Sequence, residues 1–123
     1  MIVGTGIDIV HVSRMNHWLD NENLCLRYFH VDEIELVRSR GSGAVRSLAA
    51  RFAAKEAFAK ALGTGFVNLA LRDIRVYSEG NGRPHLVLKN SADAGMKRVG
   101  ATSAHLSLAH DGDIAVAQVI LEG

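Results

Sequence analysis

The segment Arg51-Phe-Ala-Ala-Lys-Glu-Ala-Phe-Ala-Lys-Ala-Leu-Gly63 constrains this chain more than any other. It is alanine-rich and holds no β-branched residue, so its intrinsic preference is strongly helical. Gly63 and Gly65 supply the stop. Upstream the same helix is predicted to begin near Ser42 or Gly43, which gives one long element around which everything else must pack. Glu56 and Lys60 stand four residues apart and share a face. Phe52 and Leu62 mark an apolar stripe, while Lys55 points about 100° away from Glu56 and is expected to matter less. Two readings of the Glu56–Lys60 pair stay open. It is either an ordinary surface pair contributing roughly 0.3–0.5 kcal/mol, or a carboxylate and an ammonium placed to hold a metal and a phosphate together.

Residues 2–10, Ile-Val-Gly-Thr-Gly-Ile-Asp-Ile-Val, read as a β-strand. Its two glycines imply a twist or another backbone close by. Alternation places Asp8 on the face opposite Ile7 and Ile9. That makes Asp8 either a solvent-facing residue on a half-exposed strand or a functional carboxylate.

Farther along, His11 to Leu19 is predicted helical and Asp20-Asn-Glu-Asn is expected to break it. Asp32-x-x-Glu35 has capping-box spacing and is expected to open a second helix. Arg38 to Gly43 reads as a flexible basic loop. Asp73–Tyr77 and His85–Leu88 read as a hairpin across the turn Glu79-Gly-Asn-Gly-Arg-Pro84. Ser91–Val99 reads as a helix N-capped by Ser91 and stopped by Gly100. A second hairpin joins Ala104–His110 to Asp113–Leu121 through Asp111-Gly112, with His105, Ser107 and Ala109 on one face and Leu106 and Leu108 on the other. Helices and antiparallel strands in mixed order give an α+β fold, one compact domain over residues 1–123 with an antiparallel-rich sheet against the long helix.

Composition narrows the function. A formal net charge of +1 and few aromatics argue against a nucleic-acid binder. The single cysteine, Cys25, excludes an internal disulfide and fits a reducing, cytoplasmic setting. The apolar start lacks a basic leader, and no apolar run reaches a membrane span. Zinc-protease, paired-cysteine and Walker motifs are absent. A Ser107–His110–Asp111 triad can be written on paper but lacks a nucleophile elbow. What remains is hard oxygen ligands, Asp8 and Glu56, of the kind Mg²⁺ takes together with water and phosphate.

Three separated motifs then carry a resemblance: Gly6-Ile-Asp8-Ile, the Arg51–Gly63 segment, and His105-Leu-Ser-Leu-Ala-His110-Asp-Gly112, with Asn81-Gly-Arg-Pro-His85 agreeing. The chain resembles the holo-[acyl-carrier-protein] synthases, small bacterial 4′-phosphopantetheinyl transferases. The resemblance implies transfer of the phosphopantetheine arm of coenzyme A to a serine of apo-acyl carrier protein, releasing adenosine 3′,5′-bisphosphate. It implies Asp8 and Glu56 as Mg²⁺ ligands, with Glu56 and Lys60 catalytic. Arg51, Lys60, Gly63, His105, Ser107 and His110 are the residues it implies for coenzyme A, and Arg14 for the carrier protein. It also implies a homotrimer with active sites at subunit interfaces. Basic residues are sparse where the family meets its acidic carrier: Arg14 and Arg27, then Arg38 and Arg40, with Asp20 and Glu22 between. A non-catalytic coenzyme A or nucleotide-binding module is the competing reading.

Overall fold

The first strand, β1 (Ile2–His11), carries Gly4 and Gly6 on the face that meets the long helix. A methyl group on Gly6 would stand 1.9 Å from the carbonyl oxygen of Ala57, and one on Gly4 would stand 2.1 Å from that of Ala61. Backbone therefore rests on backbone, which only glycine permits. The helix, α3 (Ala44–Leu62), ends at Gly63 in the left-handed conformation, φ 79°. Its alanines leave room for the strand, and its larger residues Leu48, Phe52, Phe58 and Leu62 enter the core. The structure, a computed structural model, describes residues 1–78 and 80–123.

β1 pairs antiparallel with β5 (Ile114–Glu122), and β5 pairs antiparallel with β4 (Ser103–Asp111), so β5 is the middle strand of a three-stranded sheet. α3 packs across β1 and β5, with Ala115, Ala117, Val119 and Leu121 buried beneath it. The opposite face of β5 is only partly covered in the single chain, and Ile7 and Ile9 of β1 stand 57% and 58% exposed. β2 (Ile74–Ser78) and β3 (Pro84–Leu88) form a separate hairpin, as predicted. Of its expected turn, Glu79 lies outside the described residues. α4 (Asn90–Val99) follows and stops at Gly100.

The region between β1 and α3 departs from expectation. Residues 12–20 form two short 3₁₀ turns, Val12–Met15 and Trp18–Asp20, rather than one helix. The stretch expected to break structure instead starts α1 (Glu22–Tyr28), because the Asn21 side chain accepts from the Leu24 N–H at 3.1 Å. α2 (Val31–Arg38) begins earlier than Asp32, and its capping box is His30 with Glu33, not Asp32 with Glu35. The Arg38–Gly43 loop contains a 3₁₀ turn at Gly41–Gly43, and the Arg38 guanidinium donates to the Leu19 carbonyl at 2.9 Å. Ser91 does not cap α4. It lies inside the helix and donates its N–H (3.1 Å) and hydroxyl (2.5 Å) to Asp73.

The largest departure is Lys55. It is 0% exposed, with its Nζ 2.8 Å from Glu33 Oε1, and Glu33 is equally buried. Lys55 also donates to the Leu71 carbonyl at 2.9 Å and to that of Ile74. Glu33 accepts from the His30 and Val76 N–H groups, each at 3.1 Å. Burial drags the Lys55 ammonium down to about 8, with Glu33 holding it up against that pull.

Candidate active site

Asp8 is not solvent-facing. With Ile7 and Ile9 outward, Asp8 turns toward α3 and is 8% exposed. Its Oδ1 accepts from Lys60 Nζ at 2.8 Å, and Lys60 also donates to the Ile7 carbonyl at 3.1 Å. Lys60 thus crosses to the strand instead of forming an ion pair along its own helix with Glu56. Asp8 Oδ2 is buried with no hydrogen-bond partner. Glu56, half-buried one turn before Lys60, completes the group. Its carboxyl is raised to about 7, first by burial, then by the neighbouring Asp8 carboxylate, with Arg14 and Lys60 pulling the other way. The Lys60 ammonium is raised, chiefly by its bond to Asp8. Two carboxylates thus stand together beside one lysine, which of the pair bonds only Asp8.

The sign of that shift gives a test. Folded Glu56 binds its proton more tightly than the unfolded chain does, from its ordinary value of 4.5 to about 7. Its contribution is therefore complete below about 4.5 and lost as pH rises through about 7. Solvent screening limits it to about 1 kcal/mol. Thermal unfolding of metal-free protein should show Glu56→Gln gaining a few degrees over wild type as pH passes from 5 to 8. A difference independent of pH would contradict the raised carboxyl.

A groove of about 490 Å³ opens beside Glu56. Its floor is aromatic: Trp18 lies 5.4 Å from Phe52 and 5.5 Å from Tyr28, centroid to centroid. Arg14 and Arg27 also line it, with the Arg14 guanidinium 6.0 Å from the centre of the Phe52 ring. Gly63 ends α3 beyond Lys60, with open space where a side chain would stand.

The remaining predicted residues lie elsewhere on the chain. Arg51 and His110 line a second groove, about 400 Å³, with Arg40, Arg46, Ser47 and Ser78. Arg51 is 3% exposed and donates to the Ser47 side chain, but its Nε and Nη2 are buried without partners. Burial lowers its pKa from the ordinary value. A buried guanidinium with spare donors, among two further arginines, is suited to a phosphate. His105 and Ser107 are exposed on β4, and His105 Nε2 lies 3.0 Å from Glu122 Oε1. A single chain therefore brings Asp8, Glu56, Lys60 and Arg14 together and leaves Arg51, His105, Ser107 and His110 apart from them. Sequence reasoning missed Arg46, the aromatic floor and the Lys55–Glu33 pair. The last had a signal: the apolar series Leu48, Phe52, Ala59, Leu62 runs through position 55.

Residues 4–118 match the 4′-phosphopantetheinyl transferase superfamily. The chain is 51% identical to a holo-[acyl-carrier-protein] synthase of Treponema denticola, over 100% of both chains. It is 50% identical to that of Trichlorobacter lovleyi, covering 99% of this chain and 98% of the other. The crystal structure of the holo-[acyl-carrier-protein] synthase from Neisseria meningitidis superposes with a TM-score of 0.89 at 31% identity, covering 100% of each chain. A holo-(acyl-carrier-protein) synthase of Bacillus anthracis, solved in complex with coenzyme A (3′,5′-ADP), gives 0.81 at 36% identity, covering 98% of this chain and 96% of that one. The α+β fold and this full-length likeness converge, and the chain belongs to the 4′-phosphopantetheinyl transferase superfamily as an enzyme of the holo-[acyl-carrier-protein] synthase family.

Proposed function

We propose that this enzyme transfers 4′-phosphopantetheine from coenzyme A to a serine hydroxyl of apo-acyl carrier protein in a Mg²⁺-dependent reaction that releases adenosine 3′,5′-bisphosphate. The observation that carries the proposal is the Asp8–Glu56–Lys60 group at the contact of β1 with α3. Its residues fit the metal: Asp8 Oδ2 is a buried acceptor without a donor, and Glu56, raised by burial and by the neighbouring Asp8, adds a second hard oxygen donor beside it. Among the described residues no cluster of three or more His, Cys, Asp or Glu exists. Asp8 and Glu56 would thus be the protein's share, leaving positions for diphosphate and water, which is how Mg²⁺ is commonly held. Bound there, Mg²⁺ would neutralise charge developing on the diphosphate.

The chain's own residues do the rest. Phosphoryl transfer needs alignment and charge neutralisation more than covalent help from the protein. Lys60 stands beside the carboxylates, ready to pair with a phosphate oxygen. Glu56 takes the proton of the attacking serine as the Oγ–P bond forms and the P–O bond to the adenosine bisphosphate breaks. The aromatic groove leads away from Glu56 toward Arg14 and Arg27, which meet an acidic carrier. Arg14→Glu should raise KM for the carrier about 10-fold or more while changing kcat less than about 3-fold. Initial rates against carrier concentration check this, and an unchanged KM would remove Arg14 from the interface.

The proposal includes a homotrimer with shared sites. The sheet face bearing Ile7, Ile9 and Ile114 is apolar and open, and contiguous exposed patches of this kind commonly mark subunit contacts. The basic groove of Arg40, Arg46, Arg51 and His110 would then serve the nucleotide end of coenzyme A bound at a neighbour's carboxylates. Sedimentation should give about 40 kDa, three copies of the 13.3 kDa chain. Mixing Glu56→Ala with an inactive His110→Ala protein should restore part of the activity. Failed complementation despite proven subunit exchange would reject the shared site, and an active monomer would reject the trimer.

We assign the protein to the reducing cytoplasm, in keeping with its buried free Cys25; no helix among the described residues is long and apolar enough to cross a membrane. Mass spectrometry of apo-carrier protein incubated with enzyme, coenzyme A and Mg²⁺ tests the reaction itself. A gain of one phosphopantetheine group is expected. Binding of coenzyme A with no gain in mass would make the protein a binding module instead.

A further inference from the structure

We propose that the buried Lys55–Glu33 pair is a positioning device that sets the rotation of α3 and so fixes where the Glu56 carboxylate stands relative to Asp8. The proposal rests on the role given to Asp8 and Glu56 above. Lys55 cannot act on substrate, because it is wholly buried and its three N–H donors meet three acceptors: Glu33 Oε1, the Leu71 carbonyl and the Ile74 carbonyl. Those acceptors belong to three different elements: the first turn of α2, the 3₁₀ turn at Leu71–Asp73, and the first residue of β2. Glu33 is tied in turn to the His30 N–H and, through Oε2, to the Val76 N–H. An ammonium inside such a cage has one satisfactory direction.

On the strand side, α3 rests on Gly4 and Gly6, backbone against backbone. That contact sets how near the helix lies; its rotation is set by the side chains it buries, Lys55 among them. Lys55, next in sequence to Glu56 and about 100° around the helix from it, is placed to prevent rolling. Stability alone does not call for charge here, since a well-packed apolar pair of equal volume does as well or better. What the pair adds is a single rotational setting. A roll of about 10° at a radius of roughly 5–6 Å moves a side chain by about 1 Å. A displacement of that size at a reacting group costs on the order of 10²-fold in rate.

The test compares wild type, Lys55→Met, Glu33→Asp and the double variant Lys55→Met/Glu33→Gln, all as full-length chains. Thermal unfolding, transfer kinetics with Mg²⁺, and Mn²⁺ binding to the protein alone by electron paramagnetic resonance are the readouts. The double variant leaves no buried charge unpaired, so it should regain most of the stability lost by Lys55→Met. Its kcat should nevertheless stay about 10–100-fold down, with KM for coenzyme A within about 3-fold and Mn²⁺ affinity about 10-fold weaker. If the pair served stability alone, kcat and Mn²⁺ affinity would return together with the melting temperature, and that result overturns the proposal. Should the double variant fail to fold, Glu33→Asp decides. It keeps the ion pair but shortens its anchor by one carbon, so a folded protein with kcat about 10-fold down is expected, and wild-type kcat and Mn²⁺ affinity overturn the positioning role. Wild-type protein that neither binds Mn²⁺ nor transfers would instead overturn the reading of Asp8 and Glu56, and the positioning role with it.

Discussion

Glu56→Ala should reduce transfer to acyl carrier protein by at least about 10³-fold while leaving the fold intact. Glu56 is half-buried and α3 is held by its buried faces, so an alanine there removes no core packing. It does remove one of the two carboxylates of the site, the one proposed to hold the metal and to take the serine proton. Losing both proposed roles at once exceeds the roughly 10²–10⁴-fold usually ascribed to acid–base catalysis alone. Asp8→Ala should be comparably damaging. Single-turnover assays with saturating coenzyme A measure the loss, and circular dichroism confirms the fold. Substantial activity in Glu56→Ala would end the assignment. Removal of metal by EDTA should silence the wild type, with Mg²⁺ or Mn²⁺ restoring it.

Lys55→Met should cost about 3–5 kcal/mol of stability, the penalty for leaving a buried partner charge alone. The Glu33 carboxyl would be left without its lysine in a site with no exposure, with only two backbone N–H groups to compensate. Urea unfolding reads the loss as a shift in midpoint at constant slope. A loss under about 1 kcal/mol would show that water or a neighbouring cation reaches Glu33. The contrast between the two adjacent residues is the point: substitution at 56 removes chemistry from a stable protein, and substitution at 55 removes stability first.

Much of this was legible beforehand because local chemistry and tertiary need agreed. The long helix, its stop at Gly63, both hairpins and the strand through Asp8 follow from propensity, turn residues and alternation. Alternation also separated Asp8 from Ile7 and Ile9, but it could not say which side is the inside. The isoleucines point out and the carboxylate in, the reverse of ordinary transfer preference, and only the glycine contact with α3 settles the direction. Around residues 12–35 local signals competed. Asn21 looks like a breaker and serves as a cap, while Glu33 outcompetes Glu35 as a capping residue and also serves the distant Lys55. That second duty arises from a contact 22 positions away in sequence, which no short window contains. The site divided the same way. Asp8, Glu56 and Lys60 gather within one chain, whereas Arg51 and His110 line a separate groove, which only the proposed trimer would bring to a carboxylate site.

The glycine contact between β1 and α3 works as a mechanical stop. Backbone atoms in van der Waals contact are nearly incompressible, unlike side chains that can change rotamer, so the gap between Asp8 and Glu56 has a hard lower limit. Swelling or repacking of the remaining core, by heat, by pressure or by a conservative change at Leu48 or Val119, can be absorbed elsewhere without narrowing it. The stop limits how close the two carboxylates can come, while the rotation of α3 is set elsewhere. By the same logic the two glycines are the least replaceable residues of the strand, although neither carries a functional group.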